Sequence, residues 1–378
     1  MSIPHLPGAK DKRLFTPGPL TTSLSVKQVM LRDLGSRDEE FVDTVRRIRE
    51  SLLALAGVSR EDGYEAVLMQ GSGTFGVEAV VSSTVAPTGK LLVLINGAYG
   101  ERILQMATVH QIETTVLRYS QDTRPDPADV ASRLAQDETI TDVAVVHCDS
   151  TTGIFNPVEA IGRVVEEYGK NFVVDSMSAF GAVPLDLKTA GVDYLISSAN
   201  KCIEGVPGFS FAICRRASLL ATEGWARSLS LDILAQWKGL ESNGQFRFTP
   251  PTHTILAFEQ ALSELSAEGG VAGRAARYRA NHECLVRGMR AMGFSEYLPS
   301  ASQGYIITSF LCPEHPHFQF QAFYDRLNEK GHVIYPGKVS GTDSFRIGSI
   351  GHLFESDMRA LLAAIRETLD EMGVDIAS

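Results

Sequence analysis

The chain has 378 residues, 44% of them hydrophobic and 21% charged, an ordinary globular composition with room for a large unit and a smaller one. A formal net charge of −10 and a sequence pI of about 5.4 argue against a nucleic-acid-binding surface, while leaving room for local anion pockets. Cys148, Cys202, Cys214, Cys284 and Cys312 show no paired spacing, the opening residues carry no apolar secretory core, and the longest apolar runs are too short for a membrane; a cytoplasmic protein is expected.

Residues 14–23 (LFTPGPLTTS) are too rich in proline and glycine for a helix and read as an extended arm. Helical spacing follows over Ser25–Leu34 and Glu39–Leu55, the second with Phe41, Val45, Ile48, Leu52 and Leu55 on one face. Glu65–Gln70 reads as a strand, and Gly71-Ser72-Gly73-Thr74-Phe75-Gly76 then opens an alanine- and valine-rich helix. Small residues at a helix start leave backbone N–H groups free to hold a phosphate. The same letters fit G-x-G-x-x-G, but a dinucleotide site needs a carboxylate at the end of the next strand. That strand, Leu91–Ile95, ends in Asn96-Gly97, so the dinucleotide reading is set aside.

Tyr99 lies in a segment (NGAYGER) that opens another helix, where its ring could cover a flat ligand or simply pack in the core. A strand is expected over Thr108–Tyr119, then a proline-marked helix approach at Asp122–Asp129. Val143–His147 is a further strand leading into Cys148-Asp149-Ser150-Thr151-Thr152-Gly153. His147 and Cys148 are neighbours in a strand, point to opposite faces, and read as packing rather than a catalytic pair. A helix over Val158–Tyr168 follows.

The most informative stretch is Phe172–Phe209. Two short apolar runs end in polar residues: Phe172-Val173-Val174 leads into Asp175, and Tyr194–Ser198 leads through Ala199-Asn200 into Lys201. Such runs read as inner strands of a parallel sheet, whose carboxyl edge lines the ligand crevice. A carboxylate and a lysine at one sheet edge are what a pyridoxal-phosphate (PLP) enzyme needs. The lysine amine condenses with the PLP aldehyde and then carries protons, and the carboxylate keeps the pyridine nitrogen protonated.

Beyond this stretch, residues 217–238 read as helical, and QFRFTPPTHT over residues 245–254 reads as a proline-stiffened segment. Helical spacing over Ile255–Met292 is broken at Gly269-Gly270, suggesting a hinge into a smaller α/β unit. There, Tyr305–Leu311 and His332–Tyr335 read as strands flanking a helix near Gln319–Lys330. Cys312, His315 and His317 lie close together, but no fourth ligand has metal-site spacing, and no metal is expected. In Ser344–Gly348, Arg346 and Gly348 share one face, opposite Phe345 and Ile347. Met358, Leu361, Leu362, Ile365, Leu369 and Met372 mark a closing amphipathic helix.

DSMSAFGAVPLDL and DYLISSANKCIEGVPGFSF resemble the cofactor region of 2-aminoethylphosphonate:pyruvate aminotransferases, within the alanine–glyoxylate aminotransferase group of fold-type I PLP enzymes. The likeness extends through LFTPGPLTTS, QGSGTFGVEA, LINGAYGER, HCDSTTGIFNP, FTPPTHT and SFRIGSIG, in order over nearly the whole chain. It implies an α/β fold: an arm (1–24), a large PLP-binding domain with a mostly parallel sheet flanked by helices (25–256), and a small C-terminal α/β domain (257–378). It further implies Lys201 and Asp175 as catalytic groups, a PLP-phosphate site at Ser72, Gly73 and Thr74, Tyr99 stacked on the cofactor ring, and cofactor contacts from Asn200 and Thr151, with Ser150 an alternative to the latter. Thr249 would reach the PLP of a neighbouring subunit in a homodimer with shared sites. Arg346 would fork onto a substrate carboxylate, near Gly18.

The implied reaction moves the amino group of 2-aminoethylphosphonate to pyruvate, giving phosphonoacetaldehyde and alanine. The residues holding the phosphonate are not implied; Arg32, Arg37 and Arg346 are candidates. An alanine–glyoxylate or serine–pyruvate type aminotransferase would share every cofactor residue. A PLP lyase acting on a related aminophosphonate would keep the lysine without needing pyruvate, and a nicotinamide-dependent oxidoreductase would lack the lysine–PLP absorbance.

Overall fold

The computed structural model describes residues 11–376; the first ten residues of the expected arm lie outside them. A seven-stranded sheet forms the centre. In chain order its strands are β1 (Tyr64–Gln70), β2 (Lys90–Ile95), β3 (Glu113–Arg118), β4 (Ile140–Val146), β5 (Asn171–Asp175), β6 (Tyr194–Ser198) and β7 (Phe209–Arg215). Their spatial order is β1-β7-β6-β5-β4-β2-β3, with β7 antiparallel to both neighbours and every other pairing parallel. The inner strands are buried along their lengths, which is why VAVV, FVV and YLI read as unbroken apolar runs rather than alternating ones.

Helices α1 (Glu39–Leu55), α2 (Gly73–Thr84), α3 (Ala98–Val109), α4 (Val158–Glu167) and α5 (Thr252–Ala267) cover this sheet. The resulting apolar core runs from Val26 to Leu265. A second core gathers Phe15, Leu285, Phe310, Phe345 and Leu369 around a three-stranded antiparallel sheet. That sheet comprises β8 (Ile307–Leu311), β9 (Tyr335–Pro336) and β10 (Ser344–Gly348), and is covered by α6 (Gly270–Ala291), α7 (Phe320–Glu329) and α8 (Glu355–Met372).

The arm belongs physically to this second core. Arg13–Leu14 pairs in parallel with His332–Val333, Phe15 is buried there, and Gly348 N–H donates to Phe15 O at 2.9 Å. The arm then crosses towards the carboxyl edge of the large sheet.

Three expectations need correction. The segment 217–238 is not one helix: short turns of helix at Arg216–Leu220 and a helix at Ile233–Asn243 are separated by a loop. Gly224 is left-handed (φ 79°), Asp232 caps the second helix by accepting from Ala235 N–H, and Arg227 in the loop donates to the Ser82, Val85 and Ala86 carbonyls at the end of α2. The strand expected from Thr108 begins only at Glu113. Thr108 and Val109 end α3, and Thr108 Oγ1 donates back to Leu104 O at 2.8 Å. The stretch Ser25–Leu34 is likewise helical only in its first part, over Leu24–Gln28 and a 3-10 turn at Val29–Leu31.

A buried ionic cluster joins α6 to the loop after β6. Glu204 accepts from Arg277 Nη2 at 2.7 Å and from the Tyr278 hydroxyl at 2.5 Å, with Arg274 Nη1 at 3.3 Å. Arg274 also donates to Cys202 O at 2.5 Å and to Glu268 at 2.6 Å. The loop that begins at Lys201 is therefore clamped from behind by charges with few alternatives. Removing one partner leaves the others buried and unpaired. Glu204→Gln is expected to cost about 3 kcal/mol, and Tyr278→Phe about 1 kcal/mol, in urea unfolding; equal midpoints for wild type and Glu204→Gln would show that the clamp contributes nothing.

Candidate active site

The carboxyl ends of β5 and β6 place Asp175 and Lys201 beside a cavity of ≈ 200 Å³, whose wall also includes Ser72, Gly73, Thr74, Tyr99, Arg102, Met177, Ser198 and Asn200. Each of these groups comes from a different turn at one sheet edge. Ser72–Thr74 follow β1, Tyr99 and Arg102 follow β2, Asp175 ends β5, and Asn200-Lys201 follow β6.

Ser72 is the N-cap of α2, and its side chain makes no capping bond to the helix. The first N–H groups of α2 therefore face the cavity without that partner, at the positive end of the helix dipole. A Cβ on Gly73 would lie 2.3 Å from Met177 Sδ, so only glycine lets the turn and the Met177 loop meet. Thr74 Oγ1 accepts from Arg102 Nη1 at 3.3 Å, which adds a cation to the same end of the cavity. An anion of phosphate size suits this set of donors.

Lys201 Nζ donates to Pro17 O at 2.6 Å, a contact spanning from the large sheet to the arm. The residue as a whole is only half-buried because it faces the open cavity, yet the protein around Nζ excludes enough water to hold its pKa below the ordinary lysine value. Gly18 sits directly against it. With φ at +127°, a Cβ there would lie 2.9 Å from Lys201 Nζ and 3.0 Å from Asn200 O.

Asp175 is buried and accepts one bond, from Met177 N–H at 3.0 Å. Burial pushes its pKa up to about 6, because that single donor does not replace lost water. Asp149, close behind, is fully buried and also raised by burial; Thr151 N–H donates to its Oδ1, while Oδ2 has no partner. A Cβ on Gly97 would come within 2.2 Å of that Oδ2.

Tyr99 is ringed by cations. The Arg102 guanidinium carbon and Lys338 Nζ each lie 5.0 Å from its ring centroid. Burial alone would raise the phenol's pKa, but the charges of Lys201, Lys338 and Arg346 and the adjacent Ser150 hold it below the usual value. Arg346 is buried behind this ring, where Nε donates to Pro336 O at 3.0 Å and Nη1 to Ser150 O at 2.7 Å. Its fork is thus partly engaged by the backbone.

Asn200 lines the cavity and accepts from Ser198 Oγ at 3.3 Å. Thr151 is fully buried, and its Oγ1 accepts the Ala98 N–H at 3.0 Å, so the hydroxyl serves the start of α3; neither it nor Ser150 lines the cavity. Thr249 is exposed and shares a separate surface cleft with Arg37 and Arg247. Arg32 is exposed and pairs with Glu40. His147 is buried with Nδ1 3.1 Å from Ser176 Oγ, and its pKa is pushed down to about 4 by burial, as for a packed neutral imidazole. Among the described residues no group of three or more His, Cys, Asp or Glu side chains is arranged to hold a metal.

Sequence reasoning missed Arg102, Asp149 and Lys338. Arg102 could have been found, since it stands one helical turn (i, i+3) from Tyr99. Asp149 carries no pattern beyond its place at a strand end, and Lys338 arrives from a distant loop.

Residues 23–340 match the family model for class-V aminotransferases. A curated relative from Syntrophobacter fumaroxidans, a 2-aminoethylphosphonate–pyruvate transaminase, is 52% identical over 361 residues, covering 95% of this chain and 97% of its own. A 2-aminoethylphosphonate–pyruvate transaminase from Salmonella typhimurium is 50% identical over 363 residues, covering 96% and 98%. Among solved structures, alanine–glyoxylate aminotransferase from Nostoc superposes with a TM-score of 0.88 at 22% identity, covering 98% of both chains. At that identity the likeness speaks for the fold alone, that of fold-type I aminotransferases.

Asp175 gives a test of the site that needs no substrate. Its ionised form, disfavoured between the ordinary value near 3.8 and about 6, carries a penalty of about 3 kcal/mol at neutral pH. The contribution of a raised carboxyl to stability is full below the unfolded-state value and lost as pH rises through about 6. In cofactor-free protein, Asp175→Asn is therefore expected to raise Tm at pH 7.5, with a gain that shrinks towards pH 4; a gain of the same size at both pH values would contradict the burial account.

Proposed function

The chain belongs to the class-V aminotransferases, and from that premise we propose that it is a PLP-dependent transaminase moving the amino group of 2-aminoethylphosphonate to pyruvate, releasing phosphonoacetaldehyde and alanine. The observation that carries the substrate pair is identity of 50% and above, over nearly the full length, to relatives bearing that activity in their names. The cofactor is pyridoxal 5′-phosphate, as throughout the family.

The residues present fit that cofactor. The uncapped start of α2 and Arg102 would hold its phosphate, Asp175, with an oxygen free of protein donors, would face its pyridine nitrogen, and the Tyr99 ring would cover one face. When bound, PLP supplies an electrophilic aldehyde carbon and a ring able to accept an electron pair.

Lys201 is assigned the nucleophile and the proton carrier. Its lowered pKa favours the neutral amine that can attack and later accept a proton from the substrate carbon. Asp175, buried and short of donors, gains most from a cation placed opposite it, and would so hold a proton on the pyridine nitrogen of bound PLP. Asn200 and Gly18 border the amine, and Arg346 orients the substrate carboxylate with the donors not spent on Pro336 and Ser150.

The same reading divides the chain into an arm over residues 1–24, a cofactor-binding domain over 25–256 and a small domain over 257–378; the main apolar cores of the two domains support it, with a third cluster including Leu20, Ala179, Cys202, Tyr278 and Ile350 joining them. It also makes the enzyme a homodimer in which Thr249 serves the partner's cofactor. Support comes from exposed apolar side chains next in sequence to Thr74 and Thr249. Phe75 packs against Gly71, and Phe248, two residues after Phe246, is held at its carbonyl by Gln70 Nε2 at 2.8 Å. A cytoplasmic location fits five unpaired cysteines, and no helix among the described residues is long and apolar enough to cross a membrane.

In PLP-loaded protein, the near-visible band is expected to fall on addition of 2-aminoethylphosphonate and to return with pyruvate, and Lys201→Ala is expected to lower turnover about 10³-fold or more. A band that responds to alanine or serine but not to the phosphonate would reassign the donor. Mixing Lys201→Ala with Thr249→Ala protein is expected to restore part of the activity through hybrid dimers; no recovery, in a preparation shown by light scattering to exchange subunits, would rule out the shared site.

A further inference from the structure

The two substrates of the proposed reaction differ in charge. A carboxylate carries one negative charge, whereas a phosphonate, like a phosphate monoester, carries up to two near neutral pH and presents three acceptor oxygens. A site with a single arginine for both would leave the second charge unmatched.

Four cationic side chains surround Tyr99: Lys201, Arg102, Arg346 and Lys338. Three already have partners. Lys201 donates to Pro17 O and stands beside Asp175, Arg102 is bonded to Thr74 in the phosphate cradle, and Arg346 has Nε and Nη1 on Pro336 O and Ser150 O. Lys338 is exposed, and it forms no ion pair with a carboxylate among the described residues. Its Nζ lies 5.0 Å from the Tyr99 ring centroid.

Lys338 is brought there by a built loop rather than by chance. The loop joins β9 to β10 in the small core. On one side Gly337 N–H donates to Ser344 O at 2.8 Å; on the other, Val339 is buried and Ser340 N–H donates to Gln121 Oε1 at 2.9 Å, in the loop after β3 of the large sheet. The intervening Lys338 is thus held within reach of Tyr99, on which Arg346 also acts.

The geometry points to Lys338 as the residue that recognises the phosphonate group of the donor, supplying the second positive charge beside Arg346 and so distinguishing phosphonate from carboxylate. This assignment rests on the transamination reading above. Lys338 is a specificity residue, and its long flexible stem lets it approach the dianion and withdraw when the smaller keto acid is bound.

The test compares PLP-loaded wild type, Lys338→Gln and Lys338→Arg, using ethylphosphonate and propionate as unreactive probes and 2-aminoethylphosphonate as donor. Lys338→Gln is expected to weaken ethylphosphonate inhibition, and to raise KM for the donor, about tenfold more than it weakens propionate inhibition. Lys338→Arg is expected to restore most of the difference, and raised salt to narrow it in wild type. Equal weakening of both probes, or unchanged ethylphosphonate inhibition in Lys338→Gln while wild type still responds to the donor, overturns the assignment alone. A wild-type band that ignores 2-aminoethylphosphonate overturns the transamination reading and this assignment with it.

Discussion

An amine removed from water needs an acceptor, and among the described residues Lys201 has a single one, the carbonyl of Pro17 at 2.6 Å. Much of the architecture serves that contact. The large sheet delivers the lysine at a strand end, the ionic cluster around Glu204 fixes the loop from behind, and the arm brings the carbonyl from the other core. Asp175 mirrors the arrangement with opposite sign: a buried carboxyl with one backbone donor. Water exclusion pushes the amine down and the carboxyl up, so both are shifted towards their neutral forms. A ligand with an electrophilic carbon at one end of a ring and a protonatable nitrogen at the other relieves both.

Why was so much of this legible from sequence? The sheet edge is written locally. An apolar run long enough for a buried strand, followed by a polar residue, locates Asp175 and Lys201 without any knowledge of contacts. The same is true of Ser72–Thr74, where small residues separate a strand from a helix. What failed depended on partners far along the chain. The loop within residues 217–238 exists because Arg227 caps the end of α2, and nothing in its own helical spacing reveals that. Lys338 is placed by a bond between Ser340 and Gln121, 219 residues away. Thr249 and Arg37 share a surface cleft outside the cavity, so the shared site implied for Thr249 concerns a second chain and cannot be read from one.

The chain is acidic overall, yet cations gather around Tyr99. This is a local field, built by low-dielectric walls and fixed dipoles, and the net charge neither predicts nor opposes it. The start of α2 adds its dipole to the same region. Arg346 shows how such a field is kept from collapsing: its guanidinium is buried and its pKa lowered by burial, but backbone carbonyls rather than carboxylates hold it. Its charge therefore stays available to an incoming anion.

The arm also dictates an order of assembly. Pro17 leaves the ribosome well before the groups that seat the arm, Val333, Gly348 and His352. The large core, complete by Leu265, supports the sheet edge that carries Asp175 and Lys201 and can form before them. During that interval the lysine has no carbonyl above it and stays hydrated, with the basicity of an ordinary side chain. The reactive amine is thus finished only when the arm docks, by the closing of a long loop.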